Sequence, residues 1–306
     1  MNFSTLDDGS YLHTFDSIGE YIDLAQNRES FIPDSSCASR RTEERVFSGT
    51  ATFEDAVELA YKGYPAARKV GEPIRHLFLD ALTPVVIKKK PRYDLVGDTI
   101  DVSRYLTGMP DPFMIRYEPV HGTTEIGKSK KIFRIVVNIT YEHRVPQESI
   151  LHRGATIAAL VDLMESADKR VEVIAVTSIG ESRWMFDDSE TKPNAILHNF
   201  IPVKSPGQAL DIDFLYFVLA HPAMLRRFSF GVWESYPKEI CDPYGIPHGN
   251  YGIVRPPTQQ LDADLYLPHV IDHTTFASPL SSKKWLIRIL LEQNLIEEKD
   301  ALDLAT

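Results

Sequence analysis

From Ile132 to Ile139 the run Ile-Phe-Arg-Ile-Val-Val-Asn-Ile is β-branched almost throughout. That is the composition of a strand buried on both faces. Further on, Ile157, Leu160, Val161 and Met164 recur at helical spacing with Leu163 beside them, which predicts the apolar face of a helix. A second β-type run follows at Val171-Glu172-Val173-Ile174-Ala175-Val176. Strand, helix and strand within about fifty residues predict a βαβ crossover with two neighbouring parallel strands. The expected fold class is α/β, with α+β as the alternative: one mixed sheet around this unit with flanking helices. An OB-fold would instead show five short strands and little helix.

The same patterns outline the rest. Asp16 to Gln26 predicts a helix with Ile18, Tyr21, Ile22 and Leu24 as an imperfect stripe. Thr52 is expected to cap another, with Asp55 three residues on, Gly63 as its stop and Pro65 barring continuation. Pro65 to Leu82 reads as a further helix, interrupted near Gly71 to Pro73, and Phe113 to Tyr117 as a short strand. Ile212 to Ala220 fits either a buried strand or a helix start, whereas Phe228 to Trp233 alternates like a strand. A long loop is expected over 237–260 and a last helix over Ser281 to Leu291. The organisation read from this is an acidic helix and arm (1–48), a single α/β domain with basic segments (49–293) and an acidic tail (294–306).

Composition narrows the class. The 306 residues carry a formal net charge of -10, with only Cys37 and Cys241 as cysteines. Neither a disulfide framework nor a thiolate metal cluster is expected. No secretory signal is visible, and no apolar stretch approaches the ~18 residues of a membrane span. The expectation is a cytoplasmic protein (host-cell cytoplasm for a viral one) with no membrane partner. Charge is segregated: nine acidic against four basic residues from Met1 to Arg45, six basic against two acidic from Lys128 to Arg153. A cationic surface on an acidic body is compatible with that distribution.

Motifs for catalysis are weak. His152-Arg153-Gly154 is read as opening the helix after a strand, where α/β sheets place ligands and where N–H groups with Arg153 would hold a phosphate. Neither G-x-G-x-x-G nor G-x-x-x-x-G-K-[ST] is present. His269 and His273 would share a face if helical, but the glutamate of H-E-x-x-H is missing. No G-x-S-x-G elbow exists, and Asp162 with Glu165 reads as a solvated helix face. The chain is therefore expected to be no enzyme and to need no cofactor or metal.

Basic residues interleaved with aromatics remain, the mixture that single-strand binding requires. Lys88, Lys89, Lys90, Arg92 and Tyr93 supply it, as do Lys128, Lys130 and Lys131, with Arg104, Tyr105, Arg153, Arg226 and Arg227 as further candidates. Phe133 and Phe228 read as core. A charged edge strand would equally account for the lysines.

The phrases Ser48-Gly49-Thr50-Ala51-Thr52-Phe53-Glu54-Asp55-Ala56-Val57-Glu58-Leu59-Ala60-Tyr61-Lys62-Gly63 and His152-Arg153-Gly154-Ala155-Thr156-Ile157-Ala158-Ala159-Leu160-Val161-Asp162 are similar to pieces of tailed-phage proteins. Within that group the chain resembles the single-stranded-DNA-binding RNA polymerase cofactors of lytic podoviruses that carry a giant virion polymerase. The resemblance implies single-stranded DNA and a phage-encoded RNA polymerase as partners, and use of melted promoters; it transfers no binding residue. A homo-oligomer is also expected. Two other readings stand beside it. One is a Rossmann-like adaptor or scaffold similar to von Willebrand A domains, although D-x-S-x-S is replaced by Asn138-Ile139-Thr140-Tyr141-Glu142. The other is a phosphate-handling enzyme built on Arg153, His269 and His273.

Overall fold

The two β-type runs do form neighbouring parallel strands, with Ile132 opposite Arg170 and Asn138 opposite Val176. The computed structural model describes residues 3–27, 32–42, 45–86, 89–96, 99–119, 132–167, 169–180, 196–244, 246, 251–256, 262–272, 274–296 and 298. Its strands are β1 (Phe3–Thr5), β2 (Tyr11–Thr14), β3 (Lys89–Asp94), β4 (Thr99–Ile100), β5 (Phe113–Pro119), β6 (Ile132–Asn138), β7 (Arg170–Gly180), β8 (Ile196–Lys204), β9 (Ile253–Val254) and β10 (Leu265–Leu267). The α-helices are α1 (Ile18–Gln26), α2 (Arg45–Ser48), α3 (Phe53–Lys62), α4 (Arg68–Val86), α5 (Val102–Leu106), α6 (Gln147–Ser166), α7 (Ile212–Ala220), α8 (Phe230–Trp233), α9 (Lys238–Cys241) and α10 (Pro279–Glu292).

The main sheet has the order β1-β2-β8-β7-β6-β10, with β9 paired to β7. β10, β6 and β7 run parallel, β8 is antiparallel to β7, and β2 is parallel to β8. The fold is mixed α/β. Residues read as an acidic arm thus contribute two strands, β1 and β2, to this sheet. A second sheet, β3-β5-β4, is antiparallel and short.

Local signals explain the helix ends. Thr52 Oγ1 accepts from Asp55 N while Asp55 accepts from Thr52 N, a reciprocal capping box that satisfies two otherwise orphan donors. Gly63 closes α3 at φ 74°, and an added Cβ there would meet Asp213 at 2.7 Å. Helix α4 continues through Pro73 without the expected interruption, and Ile212 to Ala220 resolves as helix. Phe228 to Trp233 is helical too: a π-turn over Met224–Ser229 runs into α8. Its alternation misleads because the segment is buried on nearly all sides, so aromatic content reports burial and not backbone type.

Helix α6 is the centre of the packing. Ile157, Leu160, Val161 and Met164 are buried as expected, but so are Ala155, Ala158, Ala159 and Leu163 around its other sides. A helix apolar all round must be covered all round, and α4, α7 and α10 surround it. Gly154 permits the approach of α7, because a Cβ there would lie 2.3 Å from Leu219 O and 2.4 Å from Ala220 Cα. The polar residues of α6 are also used. Asp162 pairs with Arg75 of α4, and Glu165 accepts from Lys204 Nζ (2.6 Å) and Val171 N (2.8 Å). The carboxylates expected to be solvated are instead structural ties.

Candidate functional site

Helix α6 begins at Gln147, so Arg153 sits in its second turn and not at an exposed start. Its guanidinium is fully buried and donates from Nη2 to Asn138 O (3.0 Å) and Pro268 O (2.8 Å). Arg226 and Arg227 are buried as well. Arg226 donates to the carbonyls of Phe47 (2.6 Å) and Val145 (2.9 Å) and lies over the Phe47 ring. Burial pulls its pKa down to about 10. Arg227 reaches Ser39 O (2.8 Å), Arg41 O (2.6 Å), Thr50 O (3.0 Å) and Thr50 Oγ1 (3.2 Å). These three arginines correct the expected cationic surface: all are buried, Arg226 and Arg227 spending their donors on carbonyls of irregular backbone and Arg153 reaching two carbonyls through Nη2 alone. Phe133 and Phe228 are core as expected.

Four of the remaining candidates converge on the small sheet. Lys89, Lys90, Arg92 and Tyr93 lie on β3, and Arg92 stands opposite Arg116 of β5 in register. Helix α5 adds Arg104 and Tyr105. Asp101 caps α5 by accepting from Arg104 N (3.1 Å) and also accepts from Tyr93 Oη (3.0 Å), bonds that hold its carboxyl below the usual range. The Arg104 guanidinium stacks 4.1 Å from the Tyr93 ring centroid and pairs with Asp111 at 2.7 Å. Arg104 is therefore already engaged, whereas Tyr105 is exposed. Lys88, Lys128, Lys130 and Lys131 lie outside the described residues.

Around that knot the sequence pattern did not single out a set of apolar residues. Leu95, Val96, Ile100, Val102, Leu106 and Met109 are all exposed, Val96 at 80% and Leu106 at 77%. A usable signal was present: they sit in a stretch rich in Gly, Pro and Asp with no periodic partner to bury them.

A second feature is a groove of about 870 Å³ where the chain leaves β6 and enters α6. Arg45, Val46, His143, Arg144 and Gln147 line it above the buried Arg226. Gln147 Nε2 donates to Val46 O (2.8 Å) and fixes α2 against the helix start.

A family model matches residues 5–295. The chain belongs to that family, described as a domain of unknown function (DUF7192). No curated protein and no solved structure matches it. The DUF7192 match runs through both sheets, so the small sheet and its apolar rim lie within its bounds.

The other candidates of this DUF7192 chain have structural surroundings. His269 is not helical but precedes the bridge of Val270 to Tyr141, and His273 lies outside the described residues. Cys241 is buried with its thiol toward Trp233 O (3.2 Å), and burial pushes its pKa up to about 12. Among the described residues no three His, Cys, Asp or Glu are grouped to hold a metal. No helix of these residues is long and apolar enough to cross a membrane.

Proposed function

We propose that the protein is a non-catalytic adaptor, an α/β core that presents its small sheet to a protein partner. The partner's contact surface is apolar at its centre and acidic at its rim. The exposed apolar series from Leu95 to Met109 carries this reading. Apolar residues scattered singly need no explanation, but six exposed ones among the described residues of 95–109 are a concentration of the kind interaction sites present. The sequence of β3 is basic at Lys89, Lys90 and Arg92, which suits a partner with an acidic rim. The inward placement of Arg153, Arg226 and Arg227 removes cations that a polyanion groove would need at its surface.

A photo-crosslinking residue at Leu106, compared with one at exposed Tyr61 of α3, tests the proposal in the native host. Crosslinks to one protein confined to the Leu106 position support it. Equal crosslinking at both positions, or capture only of a second copy of this chain, would count against it.

A second reading is favoured by Arg104 stacked on Tyr93 beside exposed Tyr105 and a basic strand. That combination suits single-stranded DNA, with a phage-encoded RNA polymerase as the associated protein. Oligo-dT anisotropy at two salt concentrations separates the readings. Binding that weakens steeply with salt and is lost in a Lys89→Ala/Lys90→Ala/Arg92→Ala variant selects DNA.

A further inference from the structure

In the main sheet β6 leads through α6 to β7 on one side, while β10 lies on its other side. β10 runs parallel to β6, so the carboxyl ends of the two strands lie side by side, at the end of an α/β sheet where ligands bind. Arg153 bridges those two ends through Nη2. Its Nε and Nη1 are buried without a hydrogen-bond partner among the described residues, and so are Tyr141 Oη and His269 Nδ1. Tyr141 follows β6 and His269 follows β10, so these orphan groups surround one place. Arg255 approaches from the end of β7, where its N–H donates to Ser178 O (3.2 Å) and its side chain covers Gly180.

The electrostatics agree with the geometry. The ionisable neighbours that favour a charged Arg153 are phenols, Tyr141 and Tyr266, and not a carboxylate. His269 is held below the usual imidazole range first by burial and then by facing Arg153 and Arg255. A buried guanidinium normally has a carboxylate or a full set of acceptors, because an uncompensated buried charge is costly. Here two of its nitrogens have neither among the described residues.

We propose that Arg153, His269 and Arg255 form a site for a small oxyanion, a carboxylate or a phosphate, at the carboxyl ends of β6, β7 and β10. Arg153 supplies the buried charge. Tyr141 Oη donates a neutral hydrogen bond. The ligand passes half-buried His269 and exposed Arg255, which steers it from solvent. The site is separate from the small sheet and does not depend on its role.

Calorimetric titration of the full chain with inorganic phosphate, and separately with succinate, tests this at matched ionic strength. Saturable binding of either probe is expected, and which probe binds distinguishes a phosphate from a carboxylate site. Arg255→Gln should weaken it about tenfold, the loss of one charge-assisted contact. His269→Asn should weaken it too, whereas Lys89→Ala/Lys90→Ala should leave it unchanged. Replacing fully buried Arg153 endangers the fold itself, so the two less buried positions carry the test. No saturable heat with either probe overturns the proposal, as does binding indifferent to both Arg255→Gln and His269→Asn.

Discussion

Arg227 shows how far a residue's chemistry depends on where the chain puts it. In sequence, Arg226-Arg227 beside Phe228 is indistinguishable from a cationic patch. In the fold, Arg227 ties the 39–51 segment to the π-turn through four backbone carbonyls and one hydroxyl. Arg227→Met should therefore cost about 3–5 kcal/mol, the range for breaking a buried charged network, seen as a lower denaturation midpoint. Three buried histidines set a pH limit. Burial holds His13, His198 and His221 each at about 4, below the usual 6.5. Ala223 N donates to His221 Nδ1 (3.1 Å), a bond only the unprotonated nitrogen accepts. Tyr236 Oη lies 2.8 Å from His13 Nδ1 and takes a bond from the Asn199 amide, which frees its proton for the imidazole. The folded pKa is depressed, so the unfolded chain binds more protons between 6.5 and 4. Stability is full above about pH 6.5 and declines as pH falls to about 4, by up to about 1.4 kcal/mol per pH unit for each histidine. Urea midpoints at pH 7 and pH 5 check this; equal midpoints would refute it.

At the scale of elements, the strand pair β6 and β7 and the helix between them were legible because each carries its own period. The start of α6 was not. Pro146 caps it without a side-chain bond, and Gln147 to His152 has no apolar stripe to announce a helix. Its first turns are fixed by tertiary contact, most tightly where Gly154 meets α7. Gly154→Ala should destabilise by about 3 kcal/mol or more, since the methyl would meet backbone and not a movable side chain. Thermal melts check this, with Ala158→Gly as a comparison that loses helix propensity without a clash. Strands β2 and β10 carry little sequence signal for a related reason. β10 is only three residues long and owes its strand state to pairing with Ile135 to Val137.

For the whole molecule, the division between a buried core and a surface that meets partners decides which residues are available. Val96→Ser with Leu106→Ser should leave the melting temperature nearly unchanged, within about 0.5 kcal/mol, because both side chains are exposed. The same pair should abolish partner capture; retained capture would move the interface elsewhere. By itself the sequence determined the α/β class, the parallel βαβ unit, the α3 capping box and the core roles of Phe133 and Phe228. These follow from local periodicity and short-range hydrogen bonding, which neighbouring residues specify among themselves. Tertiary structure alone decided that Arg153, Arg226 and Arg227 lie inside, that Tyr93 and Arg104 stack, and that β1 and β2 join the main sheet. Burial and pairing of residues far apart in the chain are properties of the closed fold, and no local pattern encodes which cations it will enclose.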